Sequence, residues 1–394
     1  MMNKEQKIYK ELCTGCGLCK SILGIEMKED AKGVVYPELE DDSVSFCKVV
    51  CPASGNALSK QSNEIWGKAE KTYLGWSCDE NIRRQASTGG LLTSLCCYLL
   101  DTGLVDGIIQ TKVDTSSVIK TTTIVSRNSN DVKSCMGSRY TASSPLSNIK
   151  DILESGGTYA FVGKPCDVSA LRIYMDYNNT VTDKIKFVFS FFCAGVPSRN
   201  ANLNLLTALG CNEDNCSSLT YRGNGWPGFA SAIKNNGSSS NMTYEESWGK
   251  VLGRDIRKIC RYCMDGIGEM ADVACGDAWY LTNNKKPDFS EGDGRNVCFA
   301  RTYYGVELLK MAEEAGYIHI EAYDEYAKEL PYIQTFQLER KETMYSMMLA
   351  VKMFGRRNPF YDMNKLKQFS RKAPLKLKLK RFLGTVKRIK AGRL

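Results

Sequence analysis

The sequence has one histidine, His319, in 394 residues. That scarcity removes several kinds of chemistry at once. Zinc sites completed by histidine, Ser–His–Asp triads and histidine proton relays all need imidazoles that the chain does not carry. His319 lies in "GYIHIEAY", which reads as a strand, so a structural role is expected of it. Long apolar runs are missing as well. No stretch approaches the roughly 20 apolar residues of a membrane-spanning helix, and "MMNKEQKIYKELC" lacks the apolar region of a secretory signal. The expectation is a cytoplasmic protein. Internal repeats and low-complexity linkers are not found either.

Cysteine, by contrast, is abundant, with 17 residues. A reducing compartment keeps thiols free, so clustered cysteines point to metal ligands or redox chemistry before disulfides. A hydrophobic content of 43% and a charged content of 25% are those of a globular chain, long enough for two or three domains. The net charge of +9 is misleading. Ten Lys or Arg and no acid lie between Arg371 and Leu394, which leaves the body nearly neutral. Nucleic acid is not expected as a partner, because no basic face is legible in the body.

Helix and strand signals alternate from about residue 71, and the fold class expected is α+β. Residues 1–68 read as a small ferredoxin-like [4Fe–4S] domain. Residues 69–155 and 156–328 read as the two parts of a larger mixed α/β domain, and 329–394 as a helical extension with a basic tail. "STGGLLTSLCCYLLDTG" places Leu91, Leu92, Leu95, Leu99 and Leu100 on one helical face.

"CTGCGLCK" supplies Cys13, Cys16 and Cys19, and Cys51 follows immediately before Pro52. Three closely spaced thiolates with a remote fourth before proline is the ligand pattern of a ferredoxin-type [4Fe–4S] cluster, and it is poor spacing for zinc. Leu23 stands where a further ligand would be needed, so this segment is expected to hold one cluster, with Cys47 a buried thiol. A half-site, Cys260 and Cys263 in "CRYC", has no nearby complement. Cys166 and Cys193 follow the apolar strands "TYAFV" and "KIKFVFSFF", where an α/β sheet presents functional groups, and are candidate partners. Spacing alone leaves open whether these four are ligands or small buried hydrophobes. Cys96, Cys97, Cys135, Cys275 and Cys298 read as core. Cys78, Cys211 and Cys216 stay unassigned.

The motifs "RRQASTGGLL", "MGSRY", "VGKPCDVSAL", "FFCAG", "YRGNGW" and "CRYCMDGIGEMADVACGDAW" occur in an order that resembles the coenzyme F420 hydrogenase/dehydrogenase beta-subunit family, over roughly residues 10 to 325. The resemblance implies FAD and a [4Fe–4S] cluster in the large domain, with Cys166, Cys193, Cys260 and Cys263 as ligands. Ser87, Thr88, Gly89 and Gly90 open a helix whose first N–H groups can hold a pyrophosphate, although an ordinary N-cap fits the same residues. Arg84, Arg139 (beside Ser138 in "MGSRY") and Lys164 are candidate counter-charges for phosphate or the flavin ring. Asp277 is a candidate for the ribose or for a strand cap.

The function expected is an iron–sulfur flavoprotein oxidoreductase. Electrons would pass between a ferredoxin-type donor, two [4Fe–4S] clusters, FAD and an organic substrate, with bacterial relatives suggesting polysaccharide synthesis. The alternative is an electron-relay beta subunit of a hydrogenase or dehydrogenase complex, with coenzyme F420 as a candidate carrier. A zinc-binding interaction protein is a third reading. In the tail, Leu375, Leu379, Phe382, Leu383 and Val386 recur at helical spacing among basic residues. Peripheral contact with the inner face of an anionic membrane is one expectation for them. A solvated end and a dock for an acidic partner are the others.

Overall fold

The computed structural model describes residues 3–30, 33–55, 57 and 60–394. Its strands are β1 (Met27–Glu29), β2 (Val35–Pro37), β3 (Lys71–Ser77), β4 (Gly107–Asp114), β5 (Ser117–Ser126), β6 (Tyr159–Gly163), β7 (Ile185–Phe191), β8 (Cys216–Thr220), β9 (Phe229–Lys234), β10 (Ser239–Thr243), β11 (Val273–Asp277), β12 (Asn296–Ala300) and β13 (Ile318–Ala322). Eight of them form one sheet in the order β13-β3-β12-β11-β7-β6-β4-β5. Its centre, β11, β7, β6 and β4, is parallel, and the flanking strands join antiparallel.

The central strands carry runs of fully buried apolar residues, such as Ile108 and Ile109, Tyr159 to Phe161, and Val188 and Phe189, because both faces are covered there. Alternate residues serve opposite layers. Phe161, Val188 and Ala274 pack with Val168 and Leu171 of the helix Pro165–Tyr177. Ala160, Phe189 and Val273 pack with Leu91, Leu95 and Leu99 of the helix Leu91–Asp101. Cys96, Cys97, Cys275 and Cys298 lie in that second layer, and Cys135 is also buried. Between β7 and β11 the chain inserts a three-stranded sheet, β10-β9-β8, that packs with the helix Arg199–Ala208 around Cys211 and Cys216. His319, on β13, is half exposed beside Trp76 and Glu321.

The N-terminal cysteine segment and the C-terminal helices share one core. Ile8, Leu12, Val44 and Cys47 pack with Met344, Met347 and Met348 of the helix Thr335–Met353 and with Ile389 of the helix Leu375–Lys390. The basic tail is therefore docked, where the sequence suggested a separate surface element. Thr385 and Ile389 are fully buried, and Phe382 and Val386 lean inward. Leu375, Leu379 and Leu383 alone of the expected stripe point outward. Burial of one large aliphatic side chain is worth about 1.5–3 kcal/mol. Deleting residues 375–394 is accordingly expected to lower the thermal midpoint and expose dye-binding apolar surface. An unchanged midpoint would show that the tail is dispensable to the fold.

Candidate functional site

Helix starts and loop glycines bring the first cysteine quartet together. Cys13 ends the helix Lys4–Leu12, Cys16 and Cys19 flank the start of Leu18–Leu23, and Cys51 caps Asp41–Val50. Gly15 and Gly17 have φ of 80° and 85°. A Cβ at Gly15 would stand 2.7 Å from the Arg257 guanidinium and one at Gly17 2.9 Å from the Ser147 backbone, so only glycine lets the loop pass there. The Gly15 backbone N–H donates to Cys13 Sγ at 3.3 Å, and the backbone at Leu18, Lys20 and Ala53 lowers the thiol pKa of Cys16, Cys19 and Cys51. Burial pushes the Cys13 thiol up to about 11, with Arg257 pulling it back. Burial and neighbouring thiols raise Cys16 and Cys51 further. Cys19 moves the other way, lowered by a hydrogen bond from the buried Cys47.

The second quartet forms where three elements meet. Cys166 lies in the first turn of Pro165–Tyr177, just past β6, and Cys193 lies just past β7. Cys260 and Cys263 come from the short helix Lys258–Tyr262 and its C-cap. Cys166 acts electrostatically with Cys193 and Cys263, and Cys193 with Cys260. The Val196 N–H donates to Cys260 Sγ at 3.3 Å. Burial pushes Cys193 and Cys263 up to about 11, opposed by Arg340. The Cys263 loop is shaped by Asp265, whose Oδ1 accepts the N–H groups of Ile267 and Gly268 at 3.1 and 2.8 Å.

Both donor sets suit an iron–sulfur cube. Thiols held this close resist joint ionisation, and iron supplies the positive charge that permits it. Among the described residues no three His, Cys, Asp or Glu side chains converge at the spacing of a single ion. Zinc needs that convergence, whereas in a four-iron cube each thiolate takes a different iron.

The two quartets face one another across two charged groups. Arg257, only 4% exposed, donates to the Val35 carbonyl at 3.2 Å and acts on both Cys13 and Cys260. Lys164 and Asp167 form a buried pair at 2.7 Å, and Asp167 acts on Cys16 of one quartet and on Cys166 of the other. Arg340 donates to the carbonyls of Cys193 and Ala194 at 3.1 and 2.9 Å, and Gln337 to that of Cys193 at 3.2 Å. Sequence reasoning missed Arg257, Arg340 and Gln337. No local signal marks them, because their roles depend on which carbonyls and thiols the fold brings alongside.

Cys193 opens onto a cavity of about 590 Å³, of the size that encloses a cofactor. Ser87, Thr88, Gly90, Ser138, Arg139, Lys164 and Asp277 line it, with Tyr244, Trp248 and Trp279 as aromatic walls. Arg84 and Gly89 are not on the wall. The Arg84 side chain is solvent-exposed, and Gly89 packs against Asn296 and Arg295 while its carbonyl accepts from Ser77. Most of the expected polar groups are already engaged: Ser87 donates to the Arg222 carbonyl and accepts from the Ser138 N–H, and Thr88 donates to Asp277 at 3.1 Å. Lys164 is paired to Asp167 and donates to Ser143 at 2.6 Å. Asp277 takes both arms of the buried Arg222, at 2.6 and 2.9 Å, together with Thr88 and the Trp226 indole N–H. Its carboxylate pins the cavity floor, and a ribose would have to displace one of these partners. Arg139 is different. Burial lowers its pKa, and its Nε has no partner among the described residues. A half-buried cation with an unspent Nε and an aromatic wall suits the anionic parts of a flavin nucleotide.

Residues 72–150 match the family model described as coenzyme F420 hydrogenase/dehydrogenase, beta subunit N-term, and residues 156–326 match its C-terminus model. Coenzyme F420 hydrogenase subunit beta of Methanothermobacter thermautotrophicus is 24% identical over 303 residues, 75% of this chain and 100% of that protein. F420-dependent formate dehydrogenase subunit beta of Methanocaldococcus jannaschii is 30% identical over 250 residues, 64% of this chain and 61% of that protein. A chain of the F420-reducing [NiFe] hydrogenase complex from Methanosarcina barkeri shares the fold, with a TM-score of 0.60 at 21% identity over 75% of this chain and 98% of that one. The two models together span more than half of the residues, and the chain belongs to the coenzyme F420 hydrogenase/dehydrogenase beta-subunit family.

Proposed function

We propose that the chain is the electron-relay subunit of a larger oxidoreductase, holding two [4Fe–4S] clusters and FAD. The observation that carries this reading is the alignment of the two cysteine quartets across Arg257 and Lys164–Asp167, with Cys193 opening onto the large cavity. Bound there, iron–sulfur clusters would supply single-electron transfer and a flavin two-electron chemistry. Arg257 and Arg340 offset thiolate charge, the backbone N–H groups orient the sulfurs, and the Trp and Tyr walls exclude water from the cavity. The relatives' roles as beta subunits of hydrogenase and formate dehydrogenase favour this reading over a self-contained reductase of polysaccharide synthesis. A ferredoxin-type donor, coenzyme F420 and an organic acceptor at the flavin all remain part of the proposal.

Anaerobic purification is expected to give a brown chain with roughly eight irons and one flavin, retained with a stoichiometric partner subunit. A colourless zinc protein, or one without flavin, would sink the idea. Arg139→Gln removes the unspent cation and is expected to weaken flavin retention about tenfold to a hundredfold while leaving iron content intact. Equal flavin retention in the variant would move the cofactor elsewhere.

A further inference from the structure

A second cavity, of about 300 Å³, opens beside Cys260 and is lined by Arg261, Arg340, Lys380, Arg381 and Arg388 against the lone acid Glu339. The cations come from three separate elements: the cluster helix, the helix Thr335–Met353 and the docked tail helix. Their bonds to protein are few. Arg340 is spent on the Cys193 and Ala194 carbonyls, Arg261 donates to the Arg254 carbonyl at 3.2 Å, and Arg388 donates to Thr385 at 3.2 Å. Arg381 has a methionine sulfur, that of Met347, at 3.4 Å, which is a weak acceptor. The Nε atoms of Arg381 and Arg388 are buried with no partner among the described residues. Burial, then repulsion from Arg388, Arg340 and Arg261, lowers Arg381 to about 10.

Packing like charges around a cavity is unfavourable unless an anion enters it. The second quartet accounts for only part of the excess: Arg340 acts on its thiols and Cys260 on Arg261, whereas none of its thiols acts on Arg381 or Arg388. Guanidinium forks match phosphoryl oxygens two at a time, and several of them call for more than one negative charge. Ala194, Trp248 and Phe336 line both this cavity and the larger one, so a ring joined to the anion has an aromatic wall to lie on. Arg340, Arg381 and Arg388 lie beyond residue 326, where the family match ends.

We propose that this arginine-lined cavity binds the phosphate or diphosphate group of a small soluble molecule. The inference stands apart from the flavin reading. Calorimetric titration of the anaerobically isolated chain with pyrophosphate, at fixed ionic strength, is expected to show saturable binding that raises the thermal midpoint. Arg381→Gln and Arg388→Gln are each expected to weaken that binding about tenfold or more. Arg139→Gln, in the larger cavity, is expected to leave it unchanged. Each tail variant should keep its midpoint without ligand or gain slightly, because repulsion is relieved. Should either fail to fold, Arg381→Lys keeps the charge, loses the planar fork and is still expected to bind more weakly. No binding at millimolar pyrophosphate, binding indifferent to the tail variants, or binding lost in Arg139→Gln would each overturn the proposal. So would binding to phosphatidic acid vesicles in place of pyrophosphate, which would assign the site to a lipid headgroup.

Discussion

Cys260→Ala is expected to remove one iron–sulfur signal and leave the other. The reason lies in how the quartets are built. Cys166, Cys193, Cys260 and Cys263 converge from elements around the C-terminal ends of β6 and β7, whereas Cys13, Cys16, Cys19 and Cys51 hang on the N-terminal helices. Each group has its own N–H donors, so the loss of one sulfur leaves the other group's ligands and hydrogen bonds in place. Alanine offers no replacement ligand, and three buried thiols then lack a fourth iron anchor. Iron should fall by about half, from roughly eight to roughly four per chain, with the low-temperature EPR spectrum of the reduced protein simplified to one cluster. Flavin should be largely retained, because of the cavity wall only Val196 bonds to Cys260 among the described residues, while Arg139, Asp277 and the aromatic walls make no hydrogen bond to it. Loss of both signals would show that the quartets assemble as one unit. Loss of neither would remove Cys260 from the ligand set.

Lys341→Met is expected to be the most destabilising single change on the long helix Thr335–Met353. Lys341 forms an ion pair with Glu269 in which the side chains are 3% and 2% exposed. Burial raises the Glu269 pKa, Lys341 pulls it back, and the second carboxylate oxygen has no partner among the described residues. Removing the lysine breaks the buried pair and leaves only the attraction of the buried Arg301 to hold the carboxylate, a loss of about 3 kcal/mol, the lower end for a broken buried pair. The thermal midpoint should fall sharply. Replacing both partners, as Lys341→Met with Glu269→Leu, should recover most of the loss, since a matched apolar pair carries no desolvation penalty. A single variant with an unchanged midpoint would mean that Glu269 is already neutral in the native state. The pair also ties the helix bearing Gln337 and Arg340 to the "DGIGEM" loop, so the second cluster should be lost more readily in the single variant than in the double.

The cysteine motifs were legible for a physical reason. A cluster loop must place three thiolates within a few residues, so "CTGCGLC" carries its own geometry, and glycine is the only residue that fits Gly15 and Gly17. The central strands were legible too, because burial on both faces demands unbroken apolar runs such as "YAFVG" and "NVCFA". The helix from Leu91 announced itself by the periodicity of its leucines. The inserted sheet β10-β9-β8 was not legible, since short strands such as "SSNMT" carry little apolar signal.

Local sequence thus determined where cysteines cluster in "CTGCGLC" and "CRYC" and which segments form the central sheet. Tertiary structure decided the rest. It placed Arg257 between the quartets, locked Asp277 to Arg222, left Arg139 unspent in the cavity, and folded the basic tail back against the methionines of Thr335–Met353. Each of those outcomes depends on what a side chain meets across an intervening chain of tens to hundreds of residues, 34 between Arg381 and Met347 and 244 between Arg257 and Cys13. Electrostatic partnership at that range is set by packing, and no spacing in the sequence encodes it.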